Sequence, residues 1–183
     1  MKRCEVRIIG GAWRSRRIRF EERPDLRPTP DRVRETLFNW LGQDLSGQDC
    51  LDLYAGSGAL GFEAGSRGAR RVVMVEHDAA ALRALQANAT LLAANAVEVV
   101  RADALEFLRQ PRERYDVVFL DPPFADDCWP QLLAALPPCL KPGALVYCER
   151  AVALNEMPGW TVFRSGRAGQ VSHQLLKRAE HEQ

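Results

Sequence analysis

The sequence predicts an α/β fold: a mostly parallel sheet with helices on both faces, closed by an antiparallel strand pair and preceded by a small β-hairpin. Three observations carry this. Between Cys50 and Cys148 short apolar runs alternate with helix-period segments, the rhythm of β-α-β units. Between the first such strand and its helix lies a glycine-spaced turn, Gly56-Ser57-Gly58-Ala59-Leu60-Gly61, which matches G-x-G-x-x-G. The last two strands are separated only by Ser165-Gly166-Arg167-Ala168-Gly169, too short a link to cross a sheet, so they must run antiparallel.

Taken in order, residues 4–9 and 17–20 read as short strands flanking Gly10-Gly11-Ala12-Trp13-Arg14-Ser15, a hairpin or small ribbon with Trp13 at its tip. Trp13 can stack on a base or pack down on the domain. Residues 21–30 are polar with Pro24, Pro28 and Pro30, and form a connector. Thr29-Pro30-Asp31 reads as a helix start, with Thr29 as cap and Asp31 complementing the dipole. Val33, Leu37, Trp40 and Leu41 then make one apolar stripe, Arg32, Arg34 and Glu35 face elsewhere, and Gly42 ends the helix.

Seven strands follow, at residues 50–54, 71–76, 97–100, 115–120, 144–148, 160–164 and 170–177. Helices are expected over residues 59–67, from Asp78 as cap to about residue 93, from Asp103 to 108, and over 129–136. A Lys141-Pro142-Gly143 turn leads into the fifth strand. The whole, residues 1–183, is expected to be one domain, with residues 1–28 a basic hairpin extension and 29–178 the core.

Composition narrows the function classes. Of the 183 residues, 46% are hydrophobic and 27% charged, with no apolar run long enough for a membrane span and no apolar signal core after Met1-Lys2-Arg3. A cytoplasmic, monomeric protein without membrane association is expected. Cys4, Cys50, Cys128, Cys139 and Cys148 are odd in number and never spaced C-x-x-C, and the three histidines are far apart, so neither a disulfide framework nor a metal is expected. The net charge of +1 hides an asymmetry: residues 1–34 hold eleven basic side chains against five acids, a balance of +6, leaving −5 for the rest. Ten of the eleven are arginines, which grip phosphates bidentately and stack on bases. A nucleic-acid partner is expected, with Arg7, Trp13, Arg14, Arg16, Arg17, Arg32 and Arg34 as candidate contacts; a solvated basic face is the alternative.

Two stretches carry chemistry. In the first, the glycine turn lets a ligand approach the backbone at a helix start, and Glu76, 20 positions after Gly56, ends the second strand where an acid accepts hydrogen bonds from ribose hydroxyls. An adenosine-type cofactor across the strand ends is the reading. Asp52, just before the turn, would share its pocket with a diphosphate at a cost, whereas it suits the ammonium group of S-adenosylmethionine. Asp103-Ala104 is placed to reach the adenine amine; Asp103 is also a natural helix cap.

In the second, the apolar run Val117-Val118-Phe119-Leu120 stops at Asp121-Pro122-Pro123-Phe124. The prolines lack N–H groups and stiffen the turn, which presents one carboxylate, free carbonyls and one ring to the cleft. An amine-bearing planar ring would suit it.

Together, LDLYAGSGALG, Val75-Glu76-His77-Asp78, Asp103-Ala104 and Asp121-Pro122-Pro123-Phe124 resemble the class I S-adenosylmethionine-dependent methyltransferases that modify exocyclic amines. RIIGG (residues 7–11) and RPTPDRVRETLFNWL (residues 27–41) narrow the resemblance to the RsmD family, which methylates a guanine N2 in bacterial small-subunit ribosomal RNA. Tyr54, where phenylalanine is frequent, and Phe124, where tyrosine is, depart mildly. The resemblance implies a Rossmann-like fold with a seven-stranded sheet and S-adenosylmethionine held by Asp52, Tyr54, Gly56, Gly58, Glu76, His77, Asp103 and Ala104. It implies an amine site at Asp121, Pro122, Pro123 and Phe124, and ribosomal RNA or an assembling small subunit as partner. DNA adenine-N6 or cytosine-N4 methylation, a protein amide substrate, a non-catalytic RNA-binding module and, more distantly, a small dehydrogenase are the competing readings.

Overall fold

The computed structural model describes residues 3–22, 28–110, 113–122, 128–154 and 157–179. Among the described residues, nine strands and five α-helices succeed one another. The first are β1 (Arg3–Arg7), β2 (Arg17–Glu21), α1 (Asp31–Trp40), β3 (Asp49–Asp52) and α2 (Ala59–Ser66). Then come β4 (Arg71–Glu76), α3 (Ala79–Leu92), β5 (Val97–Arg101), α4 (Ala104–Arg109) and β6 (Tyr115–Leu120). The chain closes with α5 (Trp129–Ala135), β7 (Leu140–Arg150), β8 (Trp160–Ala168) and β9 (Val171–Arg178).

The main sheet has seven strands in the order β5-β4-β3-β6-β7-β9-β8. From β5 to β7 all neighbours are parallel, and β9 is antiparallel to both β7 and β8. The chain starts in the middle at β3, winds outward to β5, then returns to lay β6 on the other side of β3. That reversal opens a crevice at the carboxyl ends of β3 and β6, the place where open α/β sheets bind ligands.

Strand alternation divides the core. Cys50, Val117, Phe119 and Tyr147 face a layer made of the β1/β2 ribbon, α1, α2 and α3; Leu51, Leu53, Val118 and Leu120 face α4 and α5. The ribbon contributes Val6, Ile8, Ile18 and Phe20 to the first layer. It is also bolted down by polar bonds. Asn88 of α3 exchanges two hydrogen bonds with the backbone of Arg19, at 3.0 and 2.8 Å. The tip of the ribbon docks on the end of α2. There Glu63 accepts the N–H groups of Ile9 and Gly10 at 2.9 and 2.8 Å, and Ser66 accepts the Trp13 N–H at 2.9 Å. Gly11 sits at φ +75, and a Cβ there would collide with the Ser66 carbonyl, so this close approach requires glycine.

Several expectations need correction. Arg34 is fully buried, and its guanidinium bonds Glu63 at 3.3 Å, Asp31 at 2.5 Å and the carbonyls of Thr29 and Arg7 at 3.1 and 2.9 Å. It therefore braces the core and cannot reach a nucleic acid. The α1 stripe is Val33, Arg34, Leu37 and Phe38; a charge entered it because the buried Glu63 awaits it across the layer. Thr29 does not cap α1, where Pro30 holds the cap position; its hydroxyl points to Glu149 at 3.3 Å instead. Lys141-Pro142-Gly143 is no separate turn but a bulge inside β7, where pairing jumps from Tyr115–Leu140 to Val117–Leu145. β8 runs four residues further than expected and leaves a link of two residues.

Candidate active site

The acids expected in the site stand at consecutive strand ends around the crevice: Asp52 ends β3, Glu76 ends β4, Asp103 follows β5 and Asp121 follows β6. The turn from β3 to α2 is built by Gly56 at φ +51 and Gly58 at φ +82, the latter at the cap position of α2. A Cβ on Gly58 would lie 2.6 Å from the Phe62 ring, so side chains are shut out there by packing as well as by backbone. Glu76 lashes this turn to the next: its Oε2 accepts the Gly56 N–H at 2.9 Å and its Oε1 the Asp78 N–H at 2.8 Å. His77 is exposed, with Nδ1 3.4 Å from Glu76 Oε1. Asp103 is exposed and caps α4 through the Glu106 N–H at 3.0 Å, while Ala104 is buried beside it. The Tyr54 hydroxyl lies 3.9 Å from Cys128 Sγ, bridging the glycine turn to the segment that enters α5.

Asp52 is 2% exposed, and its Oδ2 accepts the Gly61 N–H at 3.0 Å. Burial, with Glu76 nearby, pushes its carboxyl up to about 7, against the pull of the Gly61 and Tyr54 N–H groups. Asp121 is half-buried, and its carboxyl is raised well above the usual range, first by burial and then by Glu149 and Asp52. Pro122 is buried behind it, and Pro123 and Phe124 lie outside the described residues. Among the described residues no cation pairs with Asp52 or Asp121. Two carboxyl groups are thus held in poor solvation around a crevice, an arrangement relieved by a positively charged ligand.

Of the arginines singled out from the sequence, Arg7, Arg14, Arg16, Arg17 and Arg32 are exposed. Arg7 pairs with Asp31 at 3.3 Å, Arg17 with Glu5 at 2.9 Å, and Arg16 bonds the Leu91 carbonyl at 2.6 Å. Exposed pairs of this kind hold by only about 0–1 kcal/mol and exchange readily for phosphate. Trp13 takes the packing role: its ring covers Gly65, with Cζ3 3.0 Å from where a Cβ would sit, and Trp13 joins the core of that layer. A groove of about 440 Å³, lined by Arg7, Arg17, Pro28, Thr29 and Pro30 among others, runs from the ribbon to Thr29, whose hydroxyl meets Glu149 at the end of β7. A larger groove, of about 650 Å³, lies at the amino ends of the strands among Asp49, Arg70, Arg71, Glu98 and Lys141, away from the glycine turn. These five side chains are already paired with one another.

Two residues escaped the sequence reading. Glu63 has a visible signal, a lone acid in an apolar helix with Arg67 one turn on; the two bond at 2.8 Å. Glu149 has one too, since it directly follows the apolar core of β7 much as Asp121 follows β6.

Comparison with known proteins agrees with this geometry. The family model described as "Conserved hypothetical protein 95" matches residues 6–177. The chain is 42% identical to ribosomal RNA small subunit methyltransferase D of Escherichia coli K12 over 180 residues, 95% of this chain and 90% of that one. Its identity to the protein of the same name from Haemophilus influenzae is also 42%, over 183 residues and 94% of each. A solved structure described as a putative methyltransferase, yhhF, from Escherichia coli superposes with a TM-score of 0.85 at 41% identity, covering 96% of this chain and 98% of that one. With its seven-stranded sheet, docked ribbon and glycine turn, the chain belongs to the RsmD family.

Proposed function

We propose that this protein transfers a methyl group from S-adenosylmethionine to the exocyclic N2 amine of a guanine in small-subunit ribosomal RNA. The observation that carries the reading is the set of uncompensated carboxyl groups, Asp52 and Asp121, on either side of the crevice, in a chain whose relatives are named as ribosomal RNA methyltransferases. The residues fit the cofactor. Asp52 offers a buried charge to its ammonium group, Glu76 acceptors to the ribose hydroxyls, Gly56 and Gly58 a bare backbone, and Asp103-Ala104 a contact for the adenine. Tyr54 and His77 flank that path. When bound, S-adenosylmethionine supplies an activated methyl carbon.

The remaining work falls to the protein. A guanine amine is a poor nucleophile because its lone pair is delocalised into the ring. Asp121 and the Pro122 carbonyl accept its two N–H bonds, favouring the pyramidal nitrogen and the positive charge that grows on it. To Phe124, which follows Pro123 in the sequence, we assign the stacking on the base that aligns nitrogen with the methyl carbon. A base inside a helix cannot reach such a pocket, so the target is unpaired or flipped out. Arg7, Arg14, Arg16, Arg17 and Arg32 hold the phosphates.

Mapping methylated bases by mass spectrometry, in cells with and without the gene, tests this. One N2-methylguanine should vanish from small-subunit RNA and return with the gene; loss of a methyl group from DNA or protein instead would overturn it.

A further inference from the structure

Glu149 has no part in the mechanism above, yet it is a buried acid beside the proposed reaction site. Leu120 and Cys148 are the last pair of the β6/β7 ladder, so Asp121 and Glu149 stand at the next step, side by side on parallel strands. Phe119 and Tyr147, two residues back on each strand, meet edge-on with ring centroids 6.5 Å apart. Glu149 Oε2 accepts hydrogen bonds from the Tyr147 hydroxyl at 3.1 Å and the Thr29 hydroxyl at 3.3 Å.

Among the described residues, the charges near this spot do not neutralise it. Arg34 of α1 is committed to Glu63 of α2 and to Asp31. Arg150 lies over the Trp129 ring, 5.0 Å from its centroid. His173 of β9 pairs in register with Glu149, but it stacks on Trp40, burial lowers its pKa, and among the described residues no group bonds its Nδ1. Asp52 of β3 adds a further carboxyl group. Two neighbouring carboxyl groups without a cation hold a proton between them more readily than two charges.

We propose that Glu149 is a positioning residue for the methyl transfer: standing beside Asp121, it makes Asp121 the acceptor of the proton that the amine sheds. Through Thr29 it also fixes the chain entering α1 against the reaction site. This rests on the function proposed above. In the transfer, the nitrogen–carbon bond forms as the carbon–sulfur bond breaks, and the electron pair stays with sulfur. One amine proton passes to the Asp121 carboxylate, so the acid pair goes from no proton to one, the step that the neighbouring Glu149 charge favours, and it returns that proton to water after the product leaves. Thr29 belongs to the segment entering α1, so RNA held by the ribbon and the protonation of the site share one hydrogen-bonded link.

The test uses the full chain. Glu149→Gln keeps an acceptor for Tyr147 and Thr29 and removes the charge. Its Asp121 midpoint, read by carboxyl carbon NMR, should fall by about one pH unit or more. Its kcat should fall about 10–100-fold, with cofactor Kd within about twofold and the acidic limb of the pH profile moved to lower pH. Thr29→Val keeps the charge and should raise KM for RNA more than it lowers kcat. If Glu149→Gln does not fold, Glu149→Asp, which draws the charge back by one carbon, should show a smaller shift in the same direction. An unchanged Asp121 midpoint and pH profile in the variant that folds would overturn the pairing. Wild-type protein with the raised midpoint but no methyl transfer to RNA overturns the function and this role together; Glu149→Gln with full kcat overturns the role alone.

Discussion

Asp49 and Asp52 are the first and last residues of the same short strand, and their surroundings treat them in opposite ways. At the amino end of β3, Asp49 binds Arg70 and the Lys141 ammonium, the latter at 2.7 Å, and its carboxyl is pulled down to about 2, chiefly by Arg70. At the carboxyl end, Asp52 meets no cation among the described residues and is pushed up to about 7 by burial. One end of the sheet has its charges balanced within the protein. At the other end, among the described residues, Asp52 and Asp121 have no cation beside them. Buried acids occur on both sides of that divide. Glu63 is as deeply buried as Asp52, yet two guanidinium groups and two backbone N–H groups fill its four acceptor sites. Burial of an acid therefore does not mark the site; burial without compensation does.

The sharpest way to break this contrast is Asp121→Ala. Turnover should drop about 10²–10³-fold or more, while calorimetry finds cofactor affinity within about threefold. Loss of both in proportion would make Asp121 a structural acid like Glu63.

Asp52→Asn should separate binding from stability. Cofactor affinity should fall by at least about tenfold, and in the wild type it should weaken as pH drops below about 7, where Asp52 takes up a proton. The raised carboxyl stabilises the fold fully below about pH 4 and loses that contribution as pH rises through about 7. Asn should therefore stabilise the cofactor-free protein at pH 8 by roughly 1–3 kcal/mol and add little at pH 4, as thermal unfolding would show.

Asp49→Asn should behave in the reverse sense. Its depressed carboxyl contributes stability above about pH 4 that is lost as pH falls through about 2, so the variant should be destabilised by roughly 1–2 kcal/mol at pH 7 with methyl transfer unchanged. The smallest effect is expected from single reversals at Arg14, Arg16 or Arg17. Each should weaken RNA binding a few-fold and flatten the logarithmic salt slope by about 0.7–0.9 per lost phosphate contact. Arg34→Glu should instead unfold the docked ribbon, because that side chain faces Glu63.

The strand-and-helix rhythm was legible because each element carries its own period and stop signals: β4 and β6 fall on the expected residues, and Asp78 and Asp103 cap α3 and α4 as expected. The glycine turn and the acids at strand ends were legible for the same reason, since a loop that approaches a ligand needs particular residues at particular spacings. What misled was the N-terminal segment. A run of arginines reads as one basic face, yet Arg34 faces inward, and the RIIGG stretch uses its glycines to let the ribbon tip press against α2. Lys141-Pro142-Gly143 reads as a turn because its composition cannot show that the neighbouring strand continues alongside it.

The sequence by itself determined the order of elements and the stretches that carry them, because these depend on local periodicity; the strand order in the sheet and the ends of β3, β7 and β8 came from packing. Only the tertiary structure decided which charges meet. Glu63 with Arg34, Asp49 with Lys141, and Glu149 with Thr29 are 29, 92 and 120 residues apart. Whether an acid is a brace or a reactive group depends on the dielectric and the partners that packing brings to it.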